Sequence, residues 1–338
     1  MKNLSARWRQ LASNERLGRS SQSLSVLGSR AWVFGGELLP RQPVDNRLTV
    51  IELTSVQESA TVTTLEAPTT APIPRVGLAT AALKGSLYLF SGRGGPEMAP
   101  IEEKGGLWRY TPNESLWELV QPADPSTPYP PSRSYHTMAS DGNDNIYVHA
   151  GCPENGRLSD IWSFNIDSKT WTELPAAPPP ARGGTSITVS GGKLYRMNGF
   201  DGKSEQGGAI DVLDLATRTW STISFKPDGI HGPQSRSVSA LLAVKAKGRN
   251  SLLTLFGERD PSSLGHAGAG SMLGDVWVFD VEREEWTKVE PKGDAPPPRG
   301  WFGADVMARD DGEHAVIIHG GLADDNSRLG DVWELQFE

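Results

Sequence analysis

The chain has 338 residues, of which 37 are Gly and 25 are Pro, roughly half again the usual share of turn formers. A helical bundle or a coiled coil is excluded. Hydrophobic residues make up 37%, charged residues 22%, and there are 11 Trp, enough apolar material for a large core and too little charge for disorder. The net charge is −8 and no Lys/Arg-rich run occurs, which argues against nucleic acid as a partner. The single cysteine, Cys152, leaves no internal disulfide and suits a reducing compartment. The opening MKNLSARWRQL carries no signal-peptide core, and no run of about 18 apolar residues occurs. The expectation is a soluble, cytoplasmic protein with no membrane partner.

Taken in chain order, the first element is ARWRQLAS around Trp8, which has the character of an outer strand yet precedes everything it could belong to. A repeat follows. An Arg after a Pro- or Gly-rich turn, leading into a small or apolar run, recurs at Arg19, Arg75, Arg133, Arg182, Arg236 and Arg299. Each is followed, 17 to 22 residues on, by a β-rich segment that ends in Gly, at Gly36, Gly92, Gly151, Gly199, Gly257 and Gly321. The Arg-to-Arg steps of 56, 58, 49, 54 and 63 residues lie near the period of about 50 of kelch repeats. Two further strands follow in each good unit, marked by the pairs Trp108/Trp117, Trp162/Trp171 and Trp277/Trp286. The nine-residue spacing fits a hairpin whose rings pack between sheets. The fourth unit keeps only Trp220, and the first, LTVIELTSVQESATVTTLE, has no Trp in its outer hairpin.

The sixth unit stops at LGDVWELQFE with no fourth strand to come. The segment around Trp8 is therefore expected to complete it, removing the exposed edges of an open array. The fold expected is all-β: one six-bladed kelch β-propeller over residues 1–338, with four-stranded antiparallel blades closed by the N-terminal strand. In such a blade the six Arg positions and the loops after the six Gly positions share one face, where site residues gather. Six Arg there form an anion trap or, as a residue present in every repeat suggests, bridge neighbouring turns and carbonyls.

The stretches PRVGLATAAL, PSRSYHTMASDGNDNIYVHAGC, GRLSDIWSFNIDSKTWTELP and FGERDPSSLGHAGAGSMLGDVWVFD followed by PRGWF resemble the nitrile-specifier and thiocyanate-forming proteins of glucosinolate breakdown. That resemblance implies a lyase- or isomerase-type diversion of a reactive aglucone of secondary metabolism to nitrile or thiocyanate products. It implies Arg75 and Arg133 as holders of a sulfate group, with Trp301 and the adjacent Phe302 as pocket lining. It also implies Fe(II) in the long loop after Gly257, held through a Glu-x3-Asp-x3-His pattern. Glu258 and His266 match the ends of that pattern, but Ser262 stands at the middle position. Asp260 replaces it only if the loop bends inward. On the residues alone, the alternative is that Glu258 and Asp260 cap turns and His266 hydrogen-bonds within the loop. His149 and His319 are either strand histidines or face the same mouth. No G-x-S-x-G elbow, Walker loop or H-E-x-x-H occurs, so no nucleophile is expected. The substrate is expected to be a small anionic metabolite. Two alternatives stand beside it: a related kelch enzyme for another metabolite, and a non-catalytic module that grips a protein partner.

Overall fold

A computed structural model describes residues 4–53 and 59–338, and the backbone but not the side chain of His266. The regular structure is β-strand apart from two single-turn 3-10 helices at Glu15–Leu17 and Gly265–Ala267. Among the described residues no helix is long and apolar enough to cross a membrane.

Six large antiparallel sheets follow one another along the chain. Their inner strands are Ser20–Leu27, Ala79–Leu83, Thr137–Ser140, Ser186–Ser190, Ala240–Ala246 and Gly303–Ala308. In the first five, three more strands step outward in sequence order. The sixth draws its outermost strand from the N-terminus: Ala6–Ser13 pairs antiparallel with Asp331–Phe337, from Ala6 opposite Phe337 to Ser13 opposite Asp331. Trp8 is buried there, stacked on Phe256 at 5.9 Å. In the first sheet Leu48–Glu52 pairs with Val62–Leu65; residues 54–58, between these Trp-less strands, lie outside the described residues.

The repeated residues have repeated work. All six repeat glycines have φ between 94° and 111°, and a Cβ on any of them would come within 3.0 Å of an atom in the segment that begins at the repeat arginine or just after it. A side chain fits neither the dihedral nor the space. The residue before each, from Gly35 to Gly320, is also left-handed, so the second strand ends in a sharp corner that exposes one carbonyl. The six repeat arginines fill that corner. Each donates to the carbonyl of Gly35, Ser91, Ala150, Asn198, Phe256 or Gly320 at 2.9 to 3.2 Å. Four of them also grip a carboxylate that leads into the third strand: Glu103, Asp160, Asp275 and Asp331. The same carboxylates accept the indole N–H of Trp108, Trp162, Trp277 and Trp333. The Asp-x-Trp spacing of three units is thereby explained: the acid orients its own strand's ring. Those rings meet their outer-strand partners edge to face, 6.3 to 6.5 Å apart in the three Trp pairs, a contact worth about 0.5–1.5 kcal/mol beyond the area it buries.

Two residues after each repeat arginine the chain is left-handed again, at Ser21, Gly77, Tyr135, Gly184, Val238 and Trp301, with φ from 46° to 60°. Here the amide of each donates to the carbonyl of the preceding member at 2.7 to 3.1 Å, and Ser21 N–H donates to Trp301 O. The hydrogen bonds thus form a ring that passes through all six sheets and returns to its start. It fixes the centre of the molecule, from which both cavities are built.

Candidate functional site

The ring residues line two cavities. One, of about 430 Å³, runs between the six inner strands and is walled by hydroxyls such as Ser23, Thr80, Thr137 and Ser186, with Asp305 its carboxylate. Burial pushes the Asp305 carboxyl up to about 6, against two backbone N–H donors at Val26 and Val306 that favour its charge. The other cavity, of about 250 Å³, is where the loops after the repeat glycines gather. Tyr135, Gly184, Val238 and Trp301 of the ring line it, together with Cys152 and Arg157, Phe200 and Glu205, and Glu258, Pro261 and Ser262 from three successive loops. This second cavity is the candidate site.

The left-handed backbone sets its floor. A Tyr, a β-branched Val and a Trp at positive φ are strained, and strain of this kind clusters at functional sites. It turns these side chains out of their strand register and into the centre. The Tyr135 ring leans over Gly77, where a Cβ would lie 3.1 Å from it. Burial pushes the Tyr135 phenol up to about 12, helped by the Glu37 charge, so it stays protonated.

One wall is cationic. The Arg157 guanidinium lies 5.1 Å above the Phe200 ring and close against Gly202, whose φ of +103° and missing Cβ leave it room. Its Nε is buried and has no hydrogen-bond partner. Cys152 sits beside it: burial pushes the thiol up, and the charges of Arg157 and Arg93 pull it part of the way back. Arg93 is anchored by the carbonyls of Met98 and Pro153 and by Ser134.

The lining also carries two acids. Glu258, 4% exposed, accepts the Gly270 N–H at 2.6 Å. Burial pushes its carboxyl up to about 7, with the Glu205 charge adding to the effect. Glu205 is raised too, by burial first and then by the charges of Asp260 and Asp201, although Ser237 donates to it at 3.0 Å. Ser237 ties the two acids together, since its backbone pairs with Glu258 in both directions at 2.9 Å.

The residues singled out from sequence divide. Glu258, Ser262 and Trp301 line this cavity. Phe302 lines the central one and meets Phe256 edge to face at 5.5 Å. Arg75 and Arg133 line neither. Both are 0% exposed and bound to Glu103 and Asp160 with two hydrogen bonds each, so their charge is already neutralised within their own sheets and reaches no ligand in this arrangement. The bridging role is the one the geometry gives them. His149 and His319 are fully buried and hydrogen-bonded to the carbonyls of Asp160 and Leu17. Of the implied iron ligands, Asp260 does not bend inward: its side chain is 75% exposed beside Arg259. Ser262 accepts the Leu264 N–H, and the His266 side chain lies outside the described residues. Among the described residues no three His, Cys, Asp or Glu side chains are placed to hold a metal ion. Of the implied ligands that match the pattern, Glu258 alone has a described side chain in this cavity.

Sequence reading missed Tyr135, Arg157 and Glu205. A signal existed for the first, which stands at the register of Trp301, two residues after the repeat arginine. Arg157 and Glu205 each lie six residues past a repeat glycine, inside loops that carry no pattern of their own.

The chain is similar along most of its length to N-(sulfonatooxy)prop-2-enimidothioate sulfolyase of Thlaspi arvense, with 27% identity over 93% of this chain and 91% of that protein. It is 25% identical to the leucine-zipper-like transcriptional regulator 1 homolog of Drosophila melanogaster and 26% identical to acyl-CoA-binding domain-containing protein 4 of Arabidopsis thaliana, over 79% and 74% of this chain. Of those two longer proteins it spans only 26% and 35%. The solved structure of YjhT shares the fold, with a TM-score of 0.71 and 15% identity over 95% of both chains. The model of the KLHDC2/KLHL20/DRC7 Kelch-repeats domain matches residues 21–257, more than half of the sequence, and the chain belongs to that kelch-repeat family.

Proposed function

We propose that the six sheets are the blades of one closed kelch propeller over residues 1–338, and that its 250 Å³ cavity binds and transforms a small anionic metabolite. The substrate class is the sulfated imidothioate named in the Thlaspi arvense relative, and the reaction is of the lyase type. The observation that carries this reading is Arg157. Its guanidinium carbon lies 5.1 Å from the Phe200 ring centroid and its Nε is buried and unpartnered, in a cavity that Tyr135 and Trp301 also line. A planar guanidinium in a low-dielectric wall is suited to a sulfate group. When the N–O bond to that sulfate breaks, negative charge grows on the leaving oxygens, and fixed donors stabilise it there. The aromatic floor excludes water and confines the apolar remainder of the substrate. No side-chain nucleophile is needed.

Ser262, at a position where the specifier pattern has a carboxylate, favours a second reading: a related kelch enzyme that uses the same anion wall for another metabolite. One experiment tests the first. Purified protein is mixed with a glucosinolate and myrosinase, and the products are analysed. Nitrile or thiocyanate that falls at least about tenfold with Arg157→Gln supports it. Isothiocyanate as the only product removes it.

A further inference from the structure

We propose that the interface between the third and fourth sheets carries a second anion site, where a small monovalent anion of chloride or formate size binds between Arg182 and Arg196. This goes beyond the reading of the 250 Å³ cavity and does not depend on it, since neither arginine lines that cavity. The site begins as a break in the repeat. Eleven residues before Trp171 and Trp286 stand Asp160 and Asp275, the acids that grip the arginines of their units. Eleven residues before Trp220 stands Ala209. Nine residues before, where the other two units carry Trp162 and Trp277, stands Asp211. The neighbouring strand has changed with it: Val148 lies opposite Trp162, but Arg196 lies opposite Asp211. The fourth unit has therefore lost the acid of its corner and gained a second guanidinium with an acid of its own.

The charges there do not balance. Arg196 Nε and Nη2 both donate to Asp211 Oδ2, and the Thr222 hydroxyl donates to Oδ1, so both oxygens of the one acid are taken. Arg196 is 0% exposed, and its Nη1 is buried without a hydrogen-bond partner. Arg133, Arg236 and Arg299 each hold a carboxylate; among the described residues, the buried Arg182 donates only to the carbonyls of Pro180 and Asn198. Both guanidinia sit against one turn, Arg182 Nε on Pro180 O and Arg196 Nη2 on Pro178 O. The third sheet covers them. Leu194 and Leu213, which share a strand face with Arg196 and Asp211, pack against Tyr147 and Ile161 of that sheet. Burial, and then the Arg196 charge, pull the Arg182 guanidinium down to about 10. Two cations thus share one anion out of water, which is costly. The deficit is one negative charge, and the group that Ala209 lacks relative to Asp is one carboxylate, which sets the size and valence of the ligand. Guanidinium forks already fixed by backbone carbonyls are suited to receive it.

The test is quadrupolar chloride NMR of the full-length protein in dilute NaCl, in which exchange of bound chloride broadens the free-ion line. Wild type is expected to show excess width that sodium formate removes by competition. Ala209→Asp, which returns the acid of the sister units, should abolish the excess. It should also flatten the rise of the urea midpoint with chloride that ligand binding gives to wild type. Arg182→Gln should weaken chloride binding about tenfold or more, and it decides the matter alone if Ala209→Asp does not fold. The rival occupant is a water shared by Arg196 Nη1 and the unpartnered Nε2 of His149 on the facing sheet; it predicts no excess width in wild type, and that result overturns the proposal. So does an excess that survives both substitutions. An excess lost with Arg157→Gln but kept by Ala209→Asp and Arg182→Gln places the ion in the 250 Å³ cavity, which overturns this site while supporting the anion reading of Arg157.

Discussion

The pair Arg299–Asp331 gives the most demanding test of how the repeat arginines act. The guanidinium is 0% exposed and the carboxylate 9%, joined by bonds of 2.7 and 2.8 Å. Arg299 also donates to Gly320 O and Pro297 O, and Asp331 accepts the Trp333 indole at 2.8 Å. Asp331→Ala therefore strands a buried cation and an indole N–H together. Breaking a buried pair from one side costs about 3–5 kcal/mol. The exposed pair Arg7–Glu338, at 53% and 36% exposure, contributes little, because water screens it. Urea unfolding should show a lower midpoint at constant slope for Asp331→Ala, and almost none for Glu338→Ala. Replacing both partners, Arg299→Met with Asp331→Leu, should restore all but about 2 kcal/mol, the remaining cost being the unpaired Trp333 donor. The pH dependence has a definite sign. Burial alone would push the Asp331 carboxyl up, but the Arg299 hydrogen bonds and charge outweigh it and hold the group below its usual range. Its stabilisation is present above the unfolded value of about 3.9 and is lost as pH falls further. A cost below about 1 kcal/mol for Asp331→Ala, or a double variant as unstable as the sum of the singles, refutes the reasoning.

Glu258 has the opposite sign. A carboxyl raised from 4.5 to about 7 favours the protonated folded state, so its contribution is full below about pH 4.5 and lost as pH rises through 7. Glu258→Gln should match wild type in acid and exceed it by about 3 kcal/mol above roughly pH 8, read from denaturant midpoints; a pH-independent difference counts against it. Burial holds His136 and His319 down to about 3 and His149 well below its ordinary range. Their ring nitrogen resonances should show no protonation before the protein unfolds in acid, and a titration near pH 6 in any of them contradicts the burial argument. Gly77→Ala adds a Cβ 3.1 Å from the Tyr135 ring at a φ of +60°. It should lower stability by about 1–2 kcal/mol and weaken ligand binding through the displaced floor, whereas Gly85→Ala, at positive φ with open space around it, should leave binding unchanged.

The fold was legible because its demands repeat. A corner with φ near 100° needs Gly, and the carbonyl exposed there needs a long donor, so Gly and Arg recur 17 to 22 residues apart in all six units. The Trp pairs recur for the same reason, as does the acid before the third-strand Trp. One exception follows physically: Arg182 lacks a carboxylate partner because Asp211 is taken by Arg196, and the fourth unit, like the first, has no third-strand Trp. At the register of the Trp pair the first unit has Thr49, opposite Val33, and Val62, opposite Ile51.

The site was legible only in part, and the reason lies in the same periodicity. Arg75 and Arg133 attract attention as cations, yet a residue type that every unit carries serves what every unit shares, and all six turn inward to their own corners. The residues that build the cavity are those that break the pattern at a position the pattern defines. Two residues after the arginine the ring tolerates Ser or Gly at little cost. Tyr135, Val238 and Trp301 occupy that left-handed position against their steric preference, and the strain is compensated by the ring hydrogen bonds on either side. The asymmetry this creates selects the third to sixth sheets as the walls of the pocket, where Arg157, Glu205 and Glu258 line one volume. Periodicity thus locates the rim, and departures from it locate the chemistry.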